Sequence, residues 1–204
     1  VPEQVNSTAT ARRQKMITWR GHDLPSLESA RLALAEGLRF RATGRLVVAA
    51  NSETEAFNAS YEVAVNEAGQ VRRLLVRSTT AEEERQVSFS RSSDGGFWLY
   101  DRGQGQQRSD FEGAAEVDVQ YCVLFNTLPI RRHDLHREPG EHTMPVLRVS
   151  LPELELEVVH QTYRTVSVGE RESVVNFAHG EFSADITVCE DAVVHDYPGI
   201  SVRV

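Results

Sequence analysis

The 204-residue chain is short of several things at once. It has two cysteines, Cys122 and Cys189, too few for a disulfide framework or a cysteine-built zinc site, so both are expected as small half-buried residues. It holds one lysine, Lys15, against twenty-one arginines, and its acidic residues outnumber the basic ones to give a formal net charge of −8. That balance argues against nonspecific nucleic-acid binding, which rests on neutralising phosphates, and against charge-driven docking on anionic membrane. Long apolar runs are missing too. "LVVAA" (46–50) is among the longest, far below the roughly 18 residues of a membrane-spanning helix. The opening "VPEQVNSTATARRQK" lacks the apolar core of a secretory signal. Residues 1–15 therefore read as a polar extension ahead of Met16, residues 16–204 as one domain, and the cytoplasm as the expected location. A glycine-rich phosphate loop and a G-x-S-x-G elbow are also lacking, and no cofactor or metal is expected.

What fills the chain is alternation with a period of two. "NASYEVAVNEAG" repeats apolar side chains at Tyr61, Val63 and Val65, and "GEFSADITVCEDAVVHDYPG" does so at Phe182, Ala184, Ile186 and Val188. "QVRRLLVRST" puts Val71 and Leu75 in one set, Leu74 and Val76 in the other. "LELEVVHQTYRTVSV" places Leu154, Leu156 and Val158 on one face. Asp94-Gly95-Gly96 is a hairpin signal, with Trp98 expected beside the turn and its ring against the sheet. "PSLESARLALAEGLRF" reads as a hairpin turning at Ala35-Glu36-Gly37 in preference to a helix, because a certain strand follows it. The pattern predicts an all-β fold, an antiparallel meander, sandwich or barrel, with little helix beyond a short turn near Asn126–Ile130. A faint repeat joins "YEVAVNEAGQVRRLL" to "ADITVCEDAVVHDYP", each a strand, an acidic turn and a strand.

Chemistry-bearing motifs are sparse. His133 and His136, with His142 nearby, read as surface histidines, since residues three apart on a strand face opposite sides. Glu82-Glu83-Glu84 and "DRGQGQQRSD" read as exposed loops. "FNTLPIRRHDL" is different, because an apolar turn runs straight into Arg131 and Arg132. One of the two is expected to face inward and to pair with a carboxylate, Asp118 first, since a buried guanidinium without a partner is costly. The alternative is an edge pair bonded to Asp134 or Asp118. A cavity arginine beside Asn126 and Thr127 would suit a carboxylate, phosphate or polyol headgroup on an apolar tail.

Several blocks taken in order resemble the bacterial glycolipid-binding family, once a domain of unknown function. They are "ITWRG" with "LESARL", "SDGGFW", "VDVQYCVLFNTLPIRR", "LPELELEVVHQTYRTV" and "FSADITVCEDAVVHDYPGISVRV", covering Trp19 to Val204. The resemblance implies an all-β fold of large curved antiparallel sheets forming a partly closed β-barrel, similar to bacterial lipoprotein carriers. It carries over Asp118, Asn126, Thr127, Pro129, Arg131 and Arg132 from the central block. Gln161 and Tyr163 come from the strand block, and Asp196, Tyr197 and Pro198 from the last. Phe125 stands where the family usually has Thr, and Cys189-Glu190-Asp191-Ala192 replaces a turn usually ending in Gly. The expected function is noncatalytic binding of an amphipathic, glycolipid-like small molecule. The ligand would meet Asp118, Asn126, Thr127, Arg131, Arg132, Gln161, Tyr163 and Tyr197. The competing readings are an enzyme using Asp118 with a histidine or arginine, and a protein-interaction module with a filled barrel. Oligomeric state is open.

Overall fold

The computed structural model describes residues 13–35 and 37–204. Most of the sequence-read extension, 1–12, and Glu36 of the first turn lie outside them. Arg13, Gln14 and Lys15 open the first strand. The strands are β1 (Arg13–Gly21), β2 (Ser26–Leu34), β3 (Phe40–Val48), β4 (Phe57–Val65), β5 (Val71–Thr79), β6 (Glu84–Arg91), β7 (Trp98–Asp101) and β8 (Gln106–Ser109). A second series follows: β9 (Glu116–Val119), β10 (Glu141–Val149), β11 (Leu156–Ser167), β12 (Glu172–His179), β13 (Phe182–Cys189), β14 (Val194–Tyr197) and β15 (Ser201–Arg203). They form one 15-stranded sheet in the order β8-β7-β6-β5-β4-β3-β2-β1-β15-β14-β13-β12-β11-β10-β9. Every ladder is antiparallel except β9–β10, which is parallel. Two meanders, each in chain order, thus meet where β1 pairs with β15. The hairpin reading of residues 25–40 holds, with β2 and β3 paired from Ser26↔Val48 to Leu34↔Phe40.

The sheet curls into a partly closed barrel whose edges, β8 and β9, share no ladder. Side chains bridge part of that gap. Trp98 of β7 is buried and donates through Nε1 to Ala114 O at 2.8 Å, and Arg91 of β6 donates to Ala115 O at 3.3 Å. Trp98 follows the Ser92–Phe97 turn, where Gly95 alone of its two glycines takes a positive φ, of 74°. "DRGQGQQRSD" is only half a loop, because Gln106–Ser109 form the edge strand β8. β3 has the strictest pattern, with alternate residues from Phe40 to Val48 buried, as a sheet with one wet face requires. In β5 the phase slips. Val71 pairs with Val65 while Arg73 pairs with Ala64, so Arg72 is the extra residue of a bulge. Val71, Leu74 and Val76 are therefore all buried, and Val71 does not share Leu75's side. Leu154 lies in the turn before β11 rather than on it, with φ of 57°.

Between the two series, every residue from Cys122 to Ile130 is buried. A 3₁₀ turn, Val123–Asn126, runs into a helix α1, Thr127–Arg132, where a short turn was expected. This segment touches strands of both meanders. Phe125 meets the Tyr61 ring of β4 edge-on at 5.0 Å, and Asn126 donates to Tyr163 of β11 at 3.0 Å. The segment is pinned by Glu28 of β2, which accepts from Val123 N at 2.6 Å and from the Tyr61 hydroxyl at 2.6 Å. Tyr61 lies flat over Gly44, its cross-strand partner in β3. A Cβ at Gly44 would sit 2.1 Å from the ring. Gly44→Ala is accordingly expected to cost about 2 kcal/mol through overpacking, measured by urea unfolding. An unchanged midpoint would show that the ring can move aside.

Candidate functional site

β9, β10 and β11 line up a polar row. Their register places Asp118 opposite Arg148 and Met144 opposite Gln161. Because side chains alternate along strands, Asp118, Arg148, Gln161 and Tyr163 share one face. On the other face of β9 and β10, Val117, Val119, Leu147 and Val149 are buried, so this parallel pair is covered on both sides. The polar face continues as a hydrogen-bonded chain. Gln161 Nε2 donates to Asp118 Oδ2 at 2.9 Å, Tyr163 donates its hydroxyl to Gln161 Oε1 at 3.1 Å, and Asn126 Nδ2 donates to Tyr163 at 3.0 Å.

The row opens into a pocket of about 290 Å³. Its polar wall includes Asp118, Asn126, Arg148, Gln161, His179 and Tyr197, and its apolar wall includes Tyr121, Val123, Phe177, Phe182 and Ile200. Aromatic rings Phe177, Phe182 and Tyr197 touch one another with centroids 6.1 to 6.3 Å apart. Desolvation pushes the Asp118 carboxyl up, against the pull of the Gln161 bond and of the charges on Arg148 and His179. Part of Asp118 still faces the pocket, since the residue as a whole is half-buried. Burial, followed by the Asp118 charge, likewise raises the Tyr163 and Tyr197 hydroxyls, which stay protonated donors.

The expected residues divide. Asp118, Asn126, Gln161 and Tyr197 line the pocket, and Tyr163 stands behind it in the hydrogen-bonded chain. Thr127, Arg131 and Arg132 are not among the lining residues. Thr127 is fully buried in α1, its hydroxyl without a partner among the described residues. The inward arginine is Arg132, and its carboxylate is Glu116 rather than Asp118. Arg132 Nη1 lies 2.5 Å from Glu116 Oε1, and the glutamate side chain is 1% exposed. Two positions along β9 return a side chain to the same face, so Glu116 offers the same chemistry one strand repeat earlier. Arg131 donates to Gly37 O at 2.6 Å, away from the pocket. His136 is buried, not on the surface as expected. His133 and His142 stack at 4.0 Å, and burial with the neighbouring His142 pushes His133 down to about 4. No group of three or more metal-ligating side chains occurs among the described residues. Arg148 went unread in the sequence, while His179 reads there as one of several histidines spread along different strands. The signal for Arg148 was a charged residue amid the buried run Val146, Leu147 and Val149.

A family model described as "Putative glycolipid-binding" matches residues 16–203. The chain belongs to that family. Among solved structures, this glycolipid-binding family member is similar to a DUF1089 family protein from Pseudomonas aeruginosa. The identity is 22%, 91% of this chain and 95% of that one are covered, and the TM-score is 0.71. It is also similar to a β-barrel-like DUF1849 protein from Brucella abortus, with 8% identity, 94% of each chain covered and a TM-score of 0.55. At such identities these likenesses establish the fold. No curated protein sequence matches the chain. No helix among the described residues is long and apolar enough to cross a membrane.

Proposed function

We propose that the protein binds an amphipathic small molecule, without transforming it, in the pocket beneath β9–β11. The observation that carries this is the mixed polar and apolar make-up of the pocket wall. Asp118, Gln161 and Asn126 line it together with the apolar Phe177, Phe182 and Ile200. Binding sites for such molecules combine apolar walls with a few placed polar groups. Sugar-like hydroxyls fit the carboxylate and amides, and an alkyl chain fits the rings. The family description points the same way. Phe182 and Ile200 are also among the exposed large hydrophobics, so part of the apolar lining is open to solvent.

Dodecyl maltoside below its micelle concentration is a suitable probe, titrated by calorimetry, with native mass spectrometry of the purified protein beside it. One bound molecule per chain is expected. Asp118→Asn and Phe182→Ser should each weaken binding by about five- to tenfold while the circular dichroism stays unchanged. No binding by the wild type, and no molecule retained on purification, would remove the proposal.

A second reading is favoured by one observation, that Asp118 and His179 line the same pocket. An acid and an imidazole facing one cavity could perform proton transfer. A panel of chromogenic glycosides and esters tests it: turnover abolished by Asp118→Asn supports an enzyme, and no turnover leaves the binder.

A further inference from the structure

We propose that the ligand of this pocket carries an oxyanion, a phosphate or a carboxylate, held by the guanidinium of Arg148, with a hydroxyl beside it held by Asp118. The inference rests on the binding reading above and specifies its ligand class. Arg148 lines the pocket, yet it makes no hydrogen bond or ion pair with any described residue. Its Nε is enclosed and has no partner. Two carboxylates stand opposite it in register, Asp118 on β9 and Glu157 on β11. Neither is bonded to it, and Asp118 is already committed to Gln161.

A guanidinium carries five donors, and an enclosed donor left unpaired is costly. The contrast with Arg132 is direct, because there a carboxylate of β9 meets the fork. Arg148 has the same chemistry with no acceptor among the described residues. An acceptor supplied from the pocket completes it, and a planar or tetrahedral oxyanion matches the fork with two parallel bonds. The protein's net charge of −8 would not draw such a ligand in from a distance, so recognition falls to this one local group.

The test compares dodecyl phosphate, dodecyl maltoside and inorganic phosphate, with both amphiphiles below their micelle concentrations. Wild-type protein is expected to bind dodecyl phosphate at least about tenfold more tightly than dodecyl maltoside. Arg148→Gln should erase that preference, weakening dodecyl phosphate binding at least about tenfold more than dodecyl maltoside binding. Arg148→Lys should fold normally and lose most of the preference, because an ammonium cannot make the paired bonds. Equal affinity for the two amphiphiles, or a preference that survives Arg148→Gln, overturns the oxyanion while the binding reading stands. If neither amphiphile binds, the binding reading falls and takes this inference with it. Inorganic phosphate as tight as dodecyl phosphate supports the oxyanion and identifies its source as a free anion; much weaker binding supports a lipid headgroup.

Discussion

Glu28→Gln is expected to leave stability nearly unchanged at pH 5 and to raise it by about 2–3 kcal/mol at pH 8. Glu28 sits wholly inside the barrel, and desolvation pushes its carboxyl from 4.5 to about 7, even though bonds from Tyr61, Val123 and Leu124 pull the other way. The folded state therefore holds a proton that the unfolded chain releases near pH 4.5. Stability from this group is fully present below that pH and is lost as pH rises through about 7. Glutamine mimics the neutral acid, with one oxygen to accept from Val123 N and an amide to meet the Tyr61 hydroxyl, so it stays uncharged across the range. Glu28→Ala is the control. It strands Val123 N–H and the Tyr61 hydroxyl, and should cost about 2–4 kcal/mol at pH 5, where the wild-type carboxyl is neutral. Urea unfolding at several pH values reads all three proteins. Parallel curves for the wild type and Glu28→Gln from pH 5 to pH 8 would show that the carboxyl titrates normally.

Breaking the other buried carboxylate contact should be as damaging. Arg132→Met is expected to lower stability by about 3 kcal/mol at pH 7, and the double change Arg132→Met with Glu116→Leu to recover most of it. The reason is desolvation. Burial alone raises the Glu116 carboxyl, and Arg132, then Arg91, offset that. Without Arg132 the glutamate loses its bonded partner, and Glu116 Oε2 already has none. Removing both charges removes the cost together with the attraction. If the double variant is no more stable than Arg132→Met, the loss comes from packing of the arginine stem against its surroundings, which include Gly69.

Much of the sheet was legible because strands announce themselves by alternation. Tyr61, Val63 and Val65 are buried together, and so are Ile186 and Val188. The faint repeat has a geometric counterpart. The turns at Asn66–Gln70 and Cys189–Val193 close with the same hydrogen bonds, and each hairpin carries one extra residue just after its turn, Arg72 and His195. Gly69 has φ of 75° where Ala192, standing for the family's usual Gly, has 64°, so the departure in sequence kept the turn. Pairing of the arginines was not legible. Alternation says that Glu116 and Asp118 share a face, but nothing local says which reaches Arg132. Glu28 left a readable sign: it is in phase with Ala30, Leu32 and Leu34, an acid on an otherwise apolar face. The pocket itself depends on β9 to β14 and the turn before β15 coming together, which no periodicity encodes.

The meeting of β1 with β15 bears on how the chain folds. Most neighbouring strands in this sheet are also neighbours in sequence, so each pairing closes a short loop. The β1–β15 ladder has three pairs, from Trp19↔Arg203 to Gly21↔Ser201. It closes nearly the whole chain at once. Loop entropy grows only with the logarithm of length, so this late joining costs a few kcal/mol once rather than at every strand. Trp19 helps to hold it, buried and donating to Val194 O at 2.9 Å across the junction. Each meander can gather locally, and the two become one sheet when the first and last strands find each other.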